Sequence, residues 1–139
     1  MTLTVSDREA FLAEPHIGAL AVHEEEGRGP LAVPVWYHYT PGGEVAFLTD
    51  GDSRKAALIT KAGRFTMLAQ RMIPTYRYVS VEGPVISANP TTVEEMAKIA
   101  ARYLHEDAVE GYVAQSNLSA LVTFHMRPER WLSADLGTI

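Results

Sequence analysis

Apolar and polar residues alternate along much of this chain, the mark of half-buried strands. Over residues 31–39, Leu31, Val33, Val35, Tyr37 and Tyr39 share one face while Pro34, Trp36 and His38 share the other. Pro34 within such a run signals an edge, a bulge or a ligand-facing interruption. A short apolar run at 17–22 and further stretches at 44–49, 64–70, 76–88 and 118–126 read as five more strands. Pro41-Gly42-Gly43 and a turn around Pro74 separate neighbours, and 44–49 is expected to pair back on 31–39 as a hairpin. A period of 3.6 replaces the period of two where Val93, Met96, Ala97, Ala100 and Leu104 form the stripe of an amphipathic helix begun by Asn89-Pro90-Thr91-Thr92. Shorter helices are expected at 53–61 and about 107–115. Another opens at Ser6-Asp7-Arg8-Glu9, a capping-box pattern, and is ended by Pro15. Arg127-Pro128 closes the last strand. Six strands joined mostly by hairpins predict a mainly β domain, an antiparallel barrel with peripheral helices. No repeat, linker or low-complexity segment divides residues 1–139.

Composition narrows the class. The chain has 139 residues, 47% of them hydrophobic, enough for one real core. No apolar run approaches the roughly 20 residues that span a bilayer. A polar N-terminal segment of helical pattern argues against a signal peptide, so a cytoplasmic protein without membrane attachment is expected. With no cysteine, disulfides, thiolate metal sites and cysteine nucleophiles are excluded.

Charge points to a ligand. The net charge is -5, yet residues 53–80 hold Arg54, Lys55, Lys61, Arg64, Arg71 and Arg77 and no Asp or Glu. One basic region on an acidic protein suits a small anionic ligand and argues against general nucleic-acid binding. Its start is the most informative stretch. Phe47-Leu48-Thr49 reads as a strand end, Asp50-Gly51-Asp52 as a polar turn, and Ser53-Arg54-Lys55-Ala56 as the first turn of a helix capped by Asp52 or Ser53. Two cations at the positive end of a helix dipole make sense if a phosphate sits there. A capped surface helix with solvated charges is the alternative.

Standard catalytic motifs are absent: there is no nucleophile elbow, no His-Glu-x-x-His and no Walker loop. The five histidines have no metal-ligand spacing; His23-Glu24-Glu25-Glu26 reads as a solvated turn, and His125 as an outward or satisfied strand residue. Asp50 and Asp52 are explained by turn and capping roles. An anion site without a protein nucleophile suggests that a cofactor supplies the chemistry.

The ordered set of segments resembles the pyridoxamine 5'-phosphate oxidase-like, FMN-binding split-barrel superfamily. Phe47-Leu48-Thr49 with Ser53-Arg54-Lys55-Ala56 is similar to its phosphate-binding segment. Val33-Pro34-Val35-Trp36-Tyr37 and Tyr76-Arg77-Tyr78-Val79-Ser80-Val81-Glu82-Gly83 occupy matching positions, and the likeness spans nearly the whole chain. It implies a six-stranded split-barrel homodimer with two flavin sites across the interface. Ser53 would belong to the cofactor-binding segment, Arg54 and Lys55 would hold the cofactor phosphate, Thr49 would bond ribityl or phosphate oxygens, and Gln70 would approach from the fourth strand. Backbone from Val33 through Pro34 and Val35 to Trp36 would lie along the ring system, while the Trp36 side chain is read first as core or dimer packing and second as a ring contact. The strand-two motif lacks Arg and Lys, and the chain stops soon after Arg127-Pro128-Glu129-Arg130-Trp131, unlike the basic tails of true pyridoxamine phosphate oxidases. The pattern is closer to the branch that uses FMN or the deazaflavin coenzyme F-420. F-420 is narrowly preferred, because Arg64, Arg71 and Arg77 offer charge for its carboxylate tail. The expected activity is hydride transfer between bound cofactor and a small organic substrate. A non-catalytic flavin-binding or storage protein and a structural dimer without cofactor are the other classes. No residue is an obvious acid or base; Tyr37, His38 and Tyr78 are candidates to face a substrate.

Overall fold

A computed structural model describes residues 1–138. The elements run α1 (Val5–Ala13), β1 (Gly18–Val22), β2 (Leu31–Val35), β3 (Val45–Asp50), α2 (Arg54–Ala62), β4 (Arg64–Arg71), β5 (Arg77–Pro90), α3 (Val93–Ala100), α4 (Glu106–Ala114), β6 (Leu121–Met126) and β7 (Arg130–Asp135), with a 3-10 turn at Leu118–Ala120. Every strand pairing is antiparallel, in the order β2-β1-β4-β5-β6-β3, with β7 beside β5.

The curl of this row comes from β5. Its first part pairs with β4 and β7 and its later part with β6, with a register shift between Val85 and Ser87. Such a bulge bends its strand and increases the local twist. The two ends of the row then meet at one bridge, where the backbones of His38 and Ala46 exchange hydrogen bonds of 2.8 and 2.9 Å. Away from that bridge β2 and β3 do not pair, and the barrel is open along this seam. The architecture is the mainly β antiparallel barrel with peripheral helices that the alternation implies, opened into the split form that the resemblance implies.

Strand alternation carries through to burial. Tyr37 and Tyr39 are 0% and 1% exposed, and they join Leu20, Phe47, Phe65, Met67, Val79, Val81, Phe124 and Met126 inside the barrel, with Phe11 and Leu12 of α1 and Ile59 of α2 plugging its sides. Phe47 meets Phe65 edge-on at 5.3 Å and stacks on Phe124 at 5.7 Å, geometries that aromatic pairs favour. Pro34 sits in β2 at the edge of the row, opposite Ala19, where its missing N–H costs no ladder bond.

Four details correct the sequence reading. First, β3 pairs with β6 rather than back on β2, because Tyr37 and Tyr39 turn into the core and carry the chain across the barrel end. Second, a seventh strand follows Arg127-Pro128. The turn there crosses β5 at Gly83, where a Cβ would lie 1.8 Å from the Arg127 carbonyl oxygen, so only glycine admits the crossing. Third, α1 is capped by Thr4, whose Oγ1 accepts from Asp7 N at 3.1 Å, not by Ser6. Glu9 serves instead as acceptor for the Tyr39 hydroxyl (2.6 Å) and Gly42 N (2.7 Å). Fourth, α3 buries Met96, Ile99 and Ala100, while Val93 is 52% exposed. A capping box formed by Thr92 and Glu95 sets the start of α3. No helix among the described residues is long and apolar enough to cross a membrane.

Candidate functional site at the barrel seam

The turn between β3 and α2 builds one end of the seam. Asp52 N donates to Asp50 Oδ1 at 2.8 Å, which closes the turn, and Ser53 is the cap: its Oγ accepts from Ala56 N at 3.2 Å. Ser53 Oγ also lies 3.3 Å from Thr49 Oγ1, so the two hydroxyls form one polar unit. The first-turn amides of Arg54 and Lys55 have no acceptor within the helix.

Between β2 and β3 the seam opens as a cleft of about 230 Å³. Pro34, Val35 and Trp36 form one wall and Leu48, Thr49 and Lys55 another; Met96, Ile99 and Ala100 of α3 and Tyr112 of α4 cover it. Trp36 is held by stacking on Tyr103 at 4.9 Å and by Tyr112 at 5.6 Å. Tyr103 is itself fixed, donating to the His16 carbonyl at 2.8 Å and accepting from Tyr37 N at 3.1 Å. Trp36 therefore both packs and lines the cleft. On the far side of Pro34, a shallow groove on the outer sheet face is bordered by His16, Val33 and Gln70. Val33 packs on the core, and Gln70 accepts from the Tyr76 hydroxyl at 3.2 Å.

The structure thus brings Pro34, Val35, Trp36, Thr49 and Lys55 to one cleft, with Ser53 bonded to Thr49, and puts Val33 and Gln70 at the adjoining groove. Arg54 points elsewhere. Its Nε and Nη2 donate to Glu24 at 2.8 and 2.7 Å, and Nη2 lies 3.5 Å from Glu25. Arg77 donates to Asp135 at 2.8 Å, with its guanidinium 6.0 Å from the Phe11 ring. Arg71 lies 3.8 Å from the same carboxylate, and Arg64 pairs with Glu129 and Glu82 at 3.2 and 3.7 Å. Arg64 and Arg71 end the same strand, roughly 23 Å apart at 3.3 Å per residue. These three arginines make no common cluster.

None of the three candidate substrate-facing residues lines the cleft. Tyr37 is a core residue whose hydroxyl donates to the Leu12 carbonyl at 2.6 Å, and burial pushes its pKa far up. His38 borders a separate polar hollow with Lys98 and His125, and desolvation followed by the Lys98 charge holds its pKa down. Tyr78 lies opposite Gln70 on the outer face. His125 is satisfied, as expected, between Glu44 and Glu95, each at 3.2 Å. Among the described residues no group of His, Asp and Glu could hold a metal ion.

Two features escape sequence reasoning. Tyr112 reaches the cleft from a helix without a buried residue, and nothing in its neighbourhood announces that role. Glu24, which reads as part of a solvated turn, is 3% exposed; the Arg54 hydrogen bonds, then that from Glu25 N, hold its carboxyl below the usual range.

No family model and no curated protein matches the sequence. Solved structures do match the fold. An F-420 reductase superposes with a TM-score of 0.74 at 23% identity, over 89% of this chain and 94% of that one. A FAD-binding protein from Mesorhizobium loti gives 0.69 at 18%, over 99% and 98%. A Listeria innocua protein provisionally designated pyridoxamine 5'-phosphate oxidase gives 0.68 at 13%, over 93% and 96%. This chain has the split-barrel fold that these proteins share. The likeness takes in between 89% and 99% of the chain.

Proposed function

We propose that this chain binds a phosphate-bearing flavin-type cofactor, FMN or coenzyme F-420, at the seam and works as an oxidoreductase on a small organic substrate. The observation that carries this reading is the meeting, in one cleft, of Lys55 and Thr49, whose hydroxyl pairs with that of the α2 cap Ser53, beside the apolar wall of Pro34, Val35 and Trp36. A phosphate monoester needs cation, hydroxyl and N–H donors together, and a helix N-terminus favours its charge. A flat ring system needs an apolar wall. When bound, the cofactor supplies the hydride chemistry. Lys55 and the hydroxyls bind and orient the phosphate, the β2 wall excludes water on one side, and α3 with Tyr112 covers the other. The F-420 reductase of the same fold supports an oxidoreductase reading.

The narrow preference for F-420 loses its basis in charge, since Arg64 is engaged by Glu129 and Glu82 while Arg71 and Arg77 share Asp135 at the other end of β4. Both cofactors present a phosphate to Lys55, and the two are distinguished by titration with each. The homodimer is also proposed here. Its support is an uncovered apolar outer face, with Ile17 at 57% and Leu132 at 64% exposure. A non-catalytic binding or storage role keeps one observation in its favour: the cleft is lined by no titratable side chain except Lys55 and Tyr112. Turnover of the loaded protein with an added electron acceptor separates the two.

Two variants test the phosphate site. Lys55→Ala should weaken FMN and F-420 binding by about 1.5–3 kcal/mol, the worth of a charge-assisted contact. Lys61→Ala, in the last turn of the same helix, should leave affinity unchanged. Equal affinity of Lys55→Ala and the parent protein would remove the site.

A further inference from the structure

We infer that Arg54 is a positioning residue rather than an anion ligand: with the buried Glu24 it forms a strut that ties the first turn of α2 to the chain after β1, and so sets where Lys55 and Ser53 stand. This inference rests on the anion-site reading of the seam. The strut has three observations behind it. The guanidinium spends two donors, Nε and Nη2, on the two oxygens of a single carboxylate, at 2.8 and 2.7 Å. That fork-on-carboxylate pairing fixes orientation as well as distance. The carboxylate is itself fixed, because its side chain is 2% exposed and Oε2 also accepts from Glu25 N at 3.0 Å. Finally, both ends of the strut are anchored in the core: Val22, two residues before Glu24, is 3% exposed, and Ala56, two residues after Arg54, is equally buried. A phosphate in the seam would have to break this pair to recruit Arg54, leaving a buried carboxylate without its partner. Such stranding is strongly unfavourable. Adjacent positions in one helical turn point about 100° apart, so Arg54 and Lys55 divide the work: one reaches the barrel and the other the cleft.

Glu24→Gln decides the sign. It keeps the size of the side chain and one acceptor but releases the charge that holds Arg54. If Arg54 were an anion ligand kept in check, this variant would bind FMN more tightly than the parent. The strut requires the reverse: Glu24→Gln, Arg54→Gln and the double variant each lose FMN affinity several-fold, the double no more than the worse single. Affinity keeps the salt dependence of the parent in all three and loses part of it in Lys55→Gln, where a ligand charge is removed. Tighter binding by Glu24→Gln, or a reduced salt dependence in Arg54→Gln, overturns the inference. Thermal unfolding of the same set provides a reading without cofactor. The two single variants should lower Tm and the double should lower it no further, the signature of one interaction removed twice. Additive losses overturn the strut. Non-additive losses in a protein that takes neither FMN nor F-420 uphold the strut and reject the cofactor reading.

Discussion

Arg54 and Lys55 are adjacent in the sequence and part company in space. The clustering of cations at the start of a helix was legible, and so was the Ser53 cap; the direction of each side chain was not, because the carboxylate that claims Arg54 lies 30 residues away, after another strand. The same limit hid the pairing of Arg77 with Asp135. These pairs have a consequence for acid stability. Glu9, Glu24 and Asp135 are all held below their ordinary values of 4.5, 4.5 and 3.8, chiefly by the Tyr39 hydroxyl, the Arg54 guanidinium and the Thr75 hydroxyl respectively. For each, the unfolded chain takes up protons before the folded one, so the stabilisation is complete above about 4.5 and is lost as pH falls through the lowered folded values. His38 is held below 6.5 by desolvation, so its contribution is lost earlier, as pH falls from 6.5. Urea melts across the acid range should show a shallow decline below 6.5 and a steeper one below 4.5, and His38→Asn should abolish only the first. Stability that rises on acidification through 6.5 would contradict these assignments.

At the scale of elements, period-two alternation located the strands, because burial on one face is a local property of the sequence. Which strand pairs with which was not local. β3 skips its sequence neighbour for β6, and β7 depends on a side-chain-free crossing at Gly83. The helices differ in how firmly they are held. α3 carries a capping box and three buried residues, and Glu95 ties it to His125 of β6. Arg102, just beyond it, donates to the Ala13 and Glu14 carbonyls at 2.9 Å each. α4 buries nothing, has no side-chain cap at His105, and sets Tyr112 against Trp36 at 5.6 Å. Segments with few buried contacts open at low free energy. Amides of α4 should therefore exchange with solvent at least roughly tenfold faster than those of α3, a gap of about 1.4 kcal/mol in opening free energy, and cofactor loading should slow α4 selectively. Equal protection of the two helices would refute this view of α4.

On the scale of the whole molecule, the sheet β1-β4-β5-β7 shows an outer face that no helix covers. The register places Pro34, Ala19, Leu68, Ser80 and Leu132 in one outward row, with Gln70, Tyr78 and Ala134 in the next. Tyr37 and Tyr39 are spent on the core, while Ile17 and Leu132 are among the large apolar groups left exposed. An exposed apolar patch of this sort is buried most simply by a two-fold partner. Light scattering at micromolar concentration should give twice the 15.3 kDa chain mass, and Leu132→Arg should shift the population toward single chains. A parent protein that is monomeric at that concentration would exclude the dimer.

The claim on which the rest depends is that the seam holds a phosphate-bearing flavin-type cofactor. Its most direct test is the visible absorbance of the parent protein after incubation with excess FMN or, separately, F-420, and removal of free cofactor by gel filtration. A cofactor band that travels with the protein at about one per chain, and is lost in Lys55→Ala, is the result predicted. A colourless protein fraction from both incubations would contradict it.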